Sequence, residues 1–172
     1  MLFERYLIPD YIFERYDCVT PDFLASIGVR ALLIDIDNTL APYEQPDPDA
    51  RNFAWVAAMR EAGVALTFVS NNHRERVERF AAPLGVKAYW DAAKPFRKTL
   101  DIAMAEMGST VQDTAMLGDQ LLTDAYAGKH IGLRTLIVPP IRDKRTLFVR
   151  AKRRIERPYI HKYHKLHAKE ED

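Results

Sequence analysis

Five short apolar segments alternate with amphipathic segments along the chain. The apolar segments, interpreted as strands, span residues 29–34, 64–69, 86–89, 114–118 and 133–138. Helices are predicted between them, over residues 49–62, 72–84, 95–107 and 121–130. Nearly continuous apolar strands are typical of a parallel sheet that is covered on both faces. The pattern therefore predicts an α/β protein with a three-layer α/β/α, Rossmann-like fold and a mainly parallel five-stranded sheet.

The segments that flank this region differ from it in character. Residues 1–28 are predicted to form a helical lead-in, in which Thr20 and Pro21 suit the N-cap and the first helical position, and Gly28 suits the end. Residues 29–140 are the predicted core domain, and residues 141–172 are a basic C-terminal segment. Residues 142–172 contain eleven Lys and Arg and five Asp and Glu, a net charge of +6, whereas the rest of the chain carries −5.

The basic segment has the pattern of an amphipathic helix. Between Arg142 and Lys165, ten Lys and Arg accompany two acids, and apolar residues recur on one face of a predicted helix over residues 146–157. Such helices lie on anionic membranes, where each Lys or Arg contributes about 1 kcal/mol. Nucleic acid is the less favoured partner, because no aromatic stacking platform interleaved with the basic residues is evident. A charged helix that packs on the domain is the remaining alternative.

Length and composition set further limits. A chain of 172 residues, 48% hydrophobic and 28% charged, is expected to form one folded domain. The single cysteine, Cys18, cannot form an internal disulfide, and Glu4 and Arg5 interrupt the place where a signal peptide has its apolar run. We therefore expect a cytoplasmic protein that the basic segment can hold peripherally at the inner face of the membrane.

Polar side chains stand where the predicted strands end. Carboxylates follow two strands, a serine and an asparagine follow another, and a lysine opens the helix after the third. These residues are Asp35, Asp37, Ser70, Asn71, Lys94, Asp119 and Asp124. Because the carboxyl ends of parallel strands meet at one edge of a sheet, we expect a shared cleft. Clustered carboxylates repel one another unless a cation is bound, and oxygen ligands favour Mg²⁺, with Asp35 and Asp119 as its first candidates.

The same set of residues suits phosphoryl transfer. Lys94 supplies a positive charge and Ser70 a hydroxyl donor for phosphate oxygens. Asp35 can attack phosphorus to form an aspartyl-phosphate, which divides hydrolysis into two displacements. Asp37 lies on the same side of an extended backbone, where it can protonate the leaving oxygen and then activate water. The sequence therefore predicts a Mg²⁺-dependent phosphomonoester hydrolase.

Four motifs carry a resemblance to a known family. Asp35-Ile36-Asp37-Asn38-Thr39-Leu40 resembles the DxDxT motif of the haloacid dehalogenase (HAD) superfamily. Ser70, Lys94 and the run Gly118-Asp119-Gln120-Leu121-Leu122-Thr123-Asp124 match its second, third and fourth motifs in order. The residues around these motifs are similar to the YqeG family, subfamily IIIA, whose relatives include the mitochondrial phosphatidylglycerophosphatase. The similarity extends over nearly the whole chain.

The resemblance implies a role for each motif residue. Asp35 would be the nucleophile and Asp37 the general acid and base. The residues implied to bind phosphate are Ser70, Asn71, Lys94 and Thr39. The residues implied to hold Mg²⁺ are Asp35, Asp37 through its backbone, and Asp119, with Asp124 supporting them from behind. The same resemblance makes phosphatidylglycerophosphate a candidate substrate.

The spacing of the motifs leaves no room for an inserted cap domain. The 34 residues between Asp35 and Ser70 and the 23 between Ser70 and Lys94 are used up by a loop, helices and strands. A capless site suits a large or membrane-presented phosphomonoester, or a partner that acts as a lid. Near the mouth of the cleft, the candidate substrate contacts are Tyr43, Arg74, Trp90 and Arg97, whereas Arg76 and Arg79 are predicted on a solvated helix face.

Other functions remain open from the sequence alone. A phosphatase of soluble nucleotide or sugar phosphates would use the same residues. A non-catalytic protein that binds a polyanion could use the phosphate pocket and the basic segment. A receiver domain would be phosphorylated after its third strand, near Asp91, but the hydroxyl and lysine that such a domain needs are not found in the required order. The sequence does not specify the oligomeric state.

Overall fold

The computed structural model describes residues 4–142 and 147–167, with side chains over residues 5–142 and 154–167. Thr146, the predicted start of the basic helix, lies outside the described residues. The side chains of Leu147, Phe148 and Ala151, which belong to the predicted apolar face of that helix, also lie outside the described part of the chain.

The described residues form one six-stranded sheet in which all neighbouring strands are parallel. Its strands are β1 (Tyr11–Ile12), β2 (Ala31–Ile34), β3 (Ala65–Val69), β4 (Lys87–Tyr89), β5 (Thr114–Gly118) and β6 (Arg134–Ile137). Their spatial order is β1-β6-β5-β2-β3-β4. The five predicted strands are confirmed, but the predicted strand count of five is wrong. The sixth strand, β1, comes from the lead-in and is only two residues long, which is too short to show a periodic pattern.

Helices connect these strands. They are α1 (Pro21–Ser26), α2 (Ala50–Glu61), α3 (Arg74–Leu84), α4 (Lys98–Met107), α5 (Tyr126–Ile131) and α6 (Leu147–His167). The predicted cap of α1 is present, since Thr20 Oγ1 accepts from the N–H of Phe23 at 3.2 Å. The predicted helix over residues 121–130 begins instead as a π-helical turn, Leu121–Ala125. Helix α4 begins three residues after Pro95, because a turn closed by the Phe96 N–H and the Ala93 carbonyl precedes it.

Two apolar cores, one on each face of the sheet, confirm the three-layer arrangement. Successive residues of a strand point to opposite faces. Leu32 packs with residues of α1, α2 and α3, including Trp55 and Phe80. Leu33 packs on the other face with residues of α4 and α5, including Leu100. All four residues of β2 are buried, as expected for a central strand.

No cap domain interrupts the core between Asp35 and Lys94, a stretch in which every residue is described. A proline-rich loop, α2 and β3 occupy the first interval, and α3 and β4 occupy the second. The cleft at the carboxyl edge of the sheet is therefore covered by loops alone along this part of the chain.

Helix α6 packs on the domain and extends ten residues beyond its predicted end at Arg157. Tyr159 and Ile160 contact a small apolar cluster that includes Leu121 and Ile137. The hydroxyl of Tyr163 accepts from the N–H of Ile12 in edge strand β1 at 3.2 Å. Over the described residues, no helix combines the length and the apolar character that a membrane span requires.

Candidate active site

The carboxyl edge of the sheet brings six of the twelve predicted site residues into one cleft. Asp35 and Ser70 directly follow β2 and β3, and their N–H groups donate to the carbonyls of Leu117 and Tyr89, both at 2.9 Å. These bonds continue the sheet past the strand ends and fix the first residue of each loop. The cleft, of about 290 Å³, is lined by Asp35, Asp37, Tyr43, Ser70, Asn71, Asn72, Lys94, Gln120 and Thr123.

Lys94 is held between two carboxylates. Its Nζ lies 2.7 Å from Asp35 Oδ1 and 2.7 Å from Asp124 Oδ1. Asn71 fixes the backbone of this lysine: its Oδ1 accepts from the Lys94 N–H at 2.7 Å, and its Nδ2 donates to the Lys94 carbonyl at 2.9 Å. Asn71, predicted to bind phosphate, therefore also positions the lysine predicted to do so.

Three carboxylates form a cluster that suits a divalent cation. One oxygen from each of Asp35, Asp119 and Asp124 lies within 4.8 Å of the others, and all three residues are buried. Among the described residues of this cleft, the buried charged side chains comprise four aspartates, these three and Asp37, and two bases, Lys94 and Arg76. An excess of buried carboxylate over cation and an all-oxygen donor set both fit Mg²⁺. The side chain of Asp124, predicted to stand behind the ligands, belongs to the cluster itself.

The electrostatics of Asp35 follow from its burial. Desolvation raises the pKa of this carboxyl to about 7, against the opposing effect of the Lys94 ammonium. Burial also opposes the charge of Lys94, but Asp124 and Asp35 outweigh it and raise the pKa of the ammonium above its usual value. Lys94 therefore stays charged. A second cation beside Asp35 would favour its carboxylate form, the form in which it can act as a nucleophile.

Asp37 is fixed by two residues of the following segment. Asn72 Nδ2 donates to Asp37 Oδ2 at 2.8 Å, and Arg76 Nη2 lies 3.0 Å from Asp37 Oδ1. The guanidinium of Arg76 also donates to the carbonyl of Pro46 at 3.1 Å and lies 5.3 Å from the centroid of the Phe80 ring. The prediction that Arg76 is on a solvated face is wrong. Its position four residues before Phe80, on the apolar side of α3, was the signal that could have placed it.

The loop after β5 approaches the cleft closely because of Gly118. A Cβ on Gly118 would lie 2.3 Å from Asp124 Cγ, so only glycine lets this carboxylate reach Lys94. Asp124 Oδ2 also accepts from the N–H of Gln120 at 3.1 Å. Gln120 and Thr123 also line the cleft, although the sequence predicted no role for either residue. Both lie inside the fourth motif, so their position in that motif was the available signal.

Thr39, predicted to bind phosphate, lies behind the nucleophile candidate. It is buried, its hydroxyl donates to Asp35 Oδ2 at 3.3 Å, and it is not among the residues that line the cleft. Ser70, by contrast, lines the cleft, and its Oγ accepts from the N–H of Asn72 at 3.1 Å. Ser70 therefore has the placement expected of a phosphate ligand, whereas Thr39 orients a carboxylate.

One of the four candidate substrate contacts lines the cleft. This residue is Tyr43. Its burial, and to a smaller extent the negative charges of nearby carboxylates, raise the pKa of Tyr43 to about 12, so its hydroxyl keeps its proton and remains a donor. Arg74 instead lies 4.8 Å from the centroid of the Trp90 ring, and neither of them lines the cleft. Arg97 pairs with Asp101 at 2.7 Å on the exposed side of α4. An adjoining cavity, lined by Tyr43, Pro46, Asn72, His73, Glu75, Arg76 and Arg79, extends the cleft in another direction.

Comparison with known proteins agrees with this geometry. A family described as HAD-hyrolase-like matches residues 91–149. The probable phosphatase YqeG of Bacillus subtilis is 33% identical over 156 residues, which cover 91% of this chain and 91% of that protein. The glyceraldehyde 3-phosphate phosphatase of Pyrococcus abyssi is 25% identical over 136 residues, and the match spans 74% of this chain but only 55% of that protein.

Solved structures share the fold at low sequence identity. The cobalt-bound deoxy-D-mannose-octulosonate 8-phosphate phosphatase of Haemophilus influenzae aligns with a TM-score of 0.54 and 16% identity, over 73% of this chain and 75% of that one. A putative 3-deoxy-D-manno-octulosonate 8-phosphate phosphatase from Vibrio cholerae aligns with a TM-score of 0.55 and 15% identity, over 76% and 75% of the two chains. These likenesses establish the sheet and its flanking helices.

Proposed function

Because the chain belongs to the YqeG family of the HAD superfamily, we propose that it is a Mg²⁺-dependent phosphomonoester phosphatase that works through an aspartyl-phosphate on Asp35. The observation that carries this proposal is the juxtaposition of Asp35 with Lys94 and with the buried Asp119 and Asp124 carboxylates beside one cleft. This arrangement combines a nucleophile, a fixed positive charge and an oxygen-rich cation site.

The proposed reaction has two displacements. A carboxylate oxygen of Asp35 attacks phosphorus, the bond from phosphorus to the ester oxygen breaks, and Asp37 gives that oxygen a proton. Water then attacks the phosphorus of the aspartyl-phosphate while Asp37 takes a proton from this water. The bond from phosphorus to the Asp35 oxygen breaks, which releases phosphate and regenerates the Asp35 carboxylate. Arg76 and Asn72 hold the carboxylate of Asp37 in position along the cleft.

Charge on the transferred group requires compensation in both steps. Lys94 supplies one buried positive charge, and Ser70 supplies a hydroxyl donor. Asp35, Asp119 and the neighbouring Asp124 would hold Mg²⁺, together with the backbone of Asp37 that the family resemblance implies. When bound, the ion would neutralise phosphate oxygens and favour the ionised form of Asp35.

The open cleft supports a large or surface-presented phosphomonoester as the substrate. The interval from Asp35 to Lys94 holds no inserted domain, and the adjoining cavity gives space for a bulky leaving group beside Tyr43 and Arg79. Phosphatidylglycerophosphate is the candidate by family resemblance. A small soluble phosphate is the second candidate, and the relative named as a glyceraldehyde 3-phosphate phosphatase favours it.

We also propose that helix α6 holds the protein at an anionic membrane surface. Among its described side chains, Glu156, Tyr159 and Ile160 face the domain, whereas Arg154, Arg157 and Lys165 are exposed. Each exposed cation near such a surface contributes about 1 kcal/mol. Replacing these three by Gln should weaken binding to phosphatidylglycerol vesicles, measured by cosedimentation, by about 100-fold (about 3 kcal/mol). Equal binding by the variant would contradict the membrane role, and tighter binding of the wild type to RNA than to vesicles would favour nucleic acid.

The experiment for the catalytic proposal is phosphate release from a substrate panel. The panel contains phosphatidylglycerophosphate in mixed micelles, glyceraldehyde 3-phosphate, nucleotides and p-nitrophenyl phosphate, each with and without Mg²⁺. Asp35→Asn should abolish release, while the matched control Asp91→Asn, an exposed aspartate after β4, should retain it. The best substrate distinguishes the lipid from the soluble candidate. Release that persists in Asp35→Asn would contradict the mechanism.

A further inference from the structure

Glu156 is an acid buried on the side of α6 that faces the domain. It is 2% exposed, whereas its neighbours Arg154, Ile155 and Arg157 are exposed. Its Oε1 accepts from two backbone N–H groups, those of Leu121 at 2.9 Å and Leu122 at 3.3 Å. A buried carboxylate is costly unless hydrogen bonds compensate for its lost hydration, and here two amides do so. The contact therefore fixes α6 against one particular backbone segment.

That segment is the start of the π-helical turn, where amide groups have no partner within the helix. Gln120, the residue at the N-cap position, makes no side-chain capping bond. Glu156 supplies the missing acceptor from 35 residues further along the chain. A negative charge at this end of a helical turn is also favourable electrostatically. The beginning of the turn thus depends on a side chain of α6.

The same turn carries a residue of the carboxylate cluster. Asp124 accepts from the N–H of Gln120 through Oδ2, and its Oδ1 lies 2.7 Å from Lys94 Nζ. Asp119 comes directly before this segment and shares the carboxylate cluster with Asp124. A continuous set of short contacts therefore runs from Glu156 through the turn to Lys94, and from Lys94 to Asp35.

We infer that Glu156 is a positioning residue for the active site, and that the C-terminal helix is thereby part of the catalytic apparatus. Glu156 does not touch the reacting atoms; it fixes the turn that places Asp119 and Asp124. The inference rests on the proposed function for its kinetic consequence, but the structural coupling can be measured without any substrate.

The test compares Glu156→Ala and Glu156→Gln with the wild type, and uses His161→Gln, an exposed residue of the same helix, as the matched control. Gln keeps the size of Glu and one carbonyl acceptor, so this variant keeps the packing of α6. Amide hydrogen exchange of Leu121 and Leu122 should become about tenfold faster or more in Glu156→Ala and show a smaller increase in Glu156→Gln. Amides of β2 should exchange as in the wild type.

Kinetics supply the second readout. The Mg²⁺ concentration for half-maximal activity should rise and kcat should fall by about tenfold in Glu156→Ala, with KM for p-nitrophenyl phosphate changed little. Unchanged amide exchange at Leu121 and Leu122 in Glu156→Ala would overturn the inference. It would also be overturned if exchange increased uniformly over β6 and α6 while kcat and the Mg²⁺ dependence stayed as in the wild type. Absence of activity in the wild type would contradict the proposed function instead, and the exchange result would still decide the role of Glu156.

Discussion

Replacing Lys94 by Met removes the charge at the centre of the buried network while keeping most of the side-chain volume. Lys94 and Asp124 are each 1% exposed at the side chain, and the lysine Nζ lies 2.7 Å from both Asp35 and Asp124. Removing one partner of a buried ion pair typically costs about 3–5 kcal/mol, because the remaining charge stays buried without compensation. For a chain of this length, that corresponds to a fall in Tm of about 6–20 °C.

The loss of stability should depend on pH. Burial already raises the pKa of Asp35 to about 7, and Lys94 is the group that opposes this rise. In Lys94→Met the pKa of Asp35 should rise further. A carboxyl with a raised pKa holds its proton more tightly in the folded state than in the unfolded state, so stability falls as pH increases toward the folded-state pKa. Above pH 7 the stability of the wild type levels off, whereas that of Lys94→Met continues to fall until the pH reaches its higher Asp35 pKa. The stability difference between the two proteins should therefore grow above neutral pH, by up to about 1.4 kcal/mol for each pH unit.

Urea unfolding at several pH values between about 6 and 8 measures this deficit directly. The matched control is Lys87→Met, because Lys87 pairs with Glu106 on the exposed surface, and its stability should stay close to that of the wild type at every pH. A deficit for Lys94→Met that is small, or that stays constant across this range, would refute the assignment of Lys94 as the compensating charge for Asp35.

Three further substitutions test other parts of the site. Gly118→Ala places a Cβ 2.3 Å from Asp124 Cγ, so kcat for p-nitrophenyl phosphate should fall. Urea unfolding should show a loss of stability of about 1–3 kcal/mol. Full activity of this variant would mean that the position of Asp124 is not needed. Arg76→Met removes a contact of Asp37, so steady-state kinetics should show kcat lowered by about tenfold with little change in KM. An unchanged kcat would show that this contact is dispensable. Arg97→Ala affects only an exposed pair, so kcat/KM should stay within about twofold of the wild type, and a larger loss would place Arg97 in substrate binding.

The part of the fold that the sequence predicted is the part with a strong local signal. Strand β2 is an apolar run that ends at a carboxylate, and parallel topology then determines where Asp35 lies relative to Ser70. Strand β1 was missed because two half-buried residues carry no pattern. The start of α4 was misplaced because Pro95 suits a first helical position but here belongs to the preceding turn.

The roles that the sequence did not predict depend on contacts between residues that are distant along the chain. Asn71 binds the backbone of Lys94, and the guanidinium of Arg76 donates to the carboxylate of Asp37, which lies 39 residues earlier in the chain. Glu156 binds the Leu121 N–H from a helix whose pattern indicated a basic amphipathic segment but predicted no contact for this acid. No local periodicity encodes such pairs, since each depends on how two separate elements pack.

Identification of the residue that is phosphorylated during turnover would test the aspartyl-phosphate mechanism directly. Wild-type protein would be mixed with substrate and Mg²⁺, quenched in acid, digested and examined by peptide mass spectrometry. We expect one phosphoryl group on the peptide that contains Asp35, and none on any peptide of the Asp35→Asn variant. A phosphoryl group on another residue, such as Asp91, in a protein that turns over substrate would contradict it.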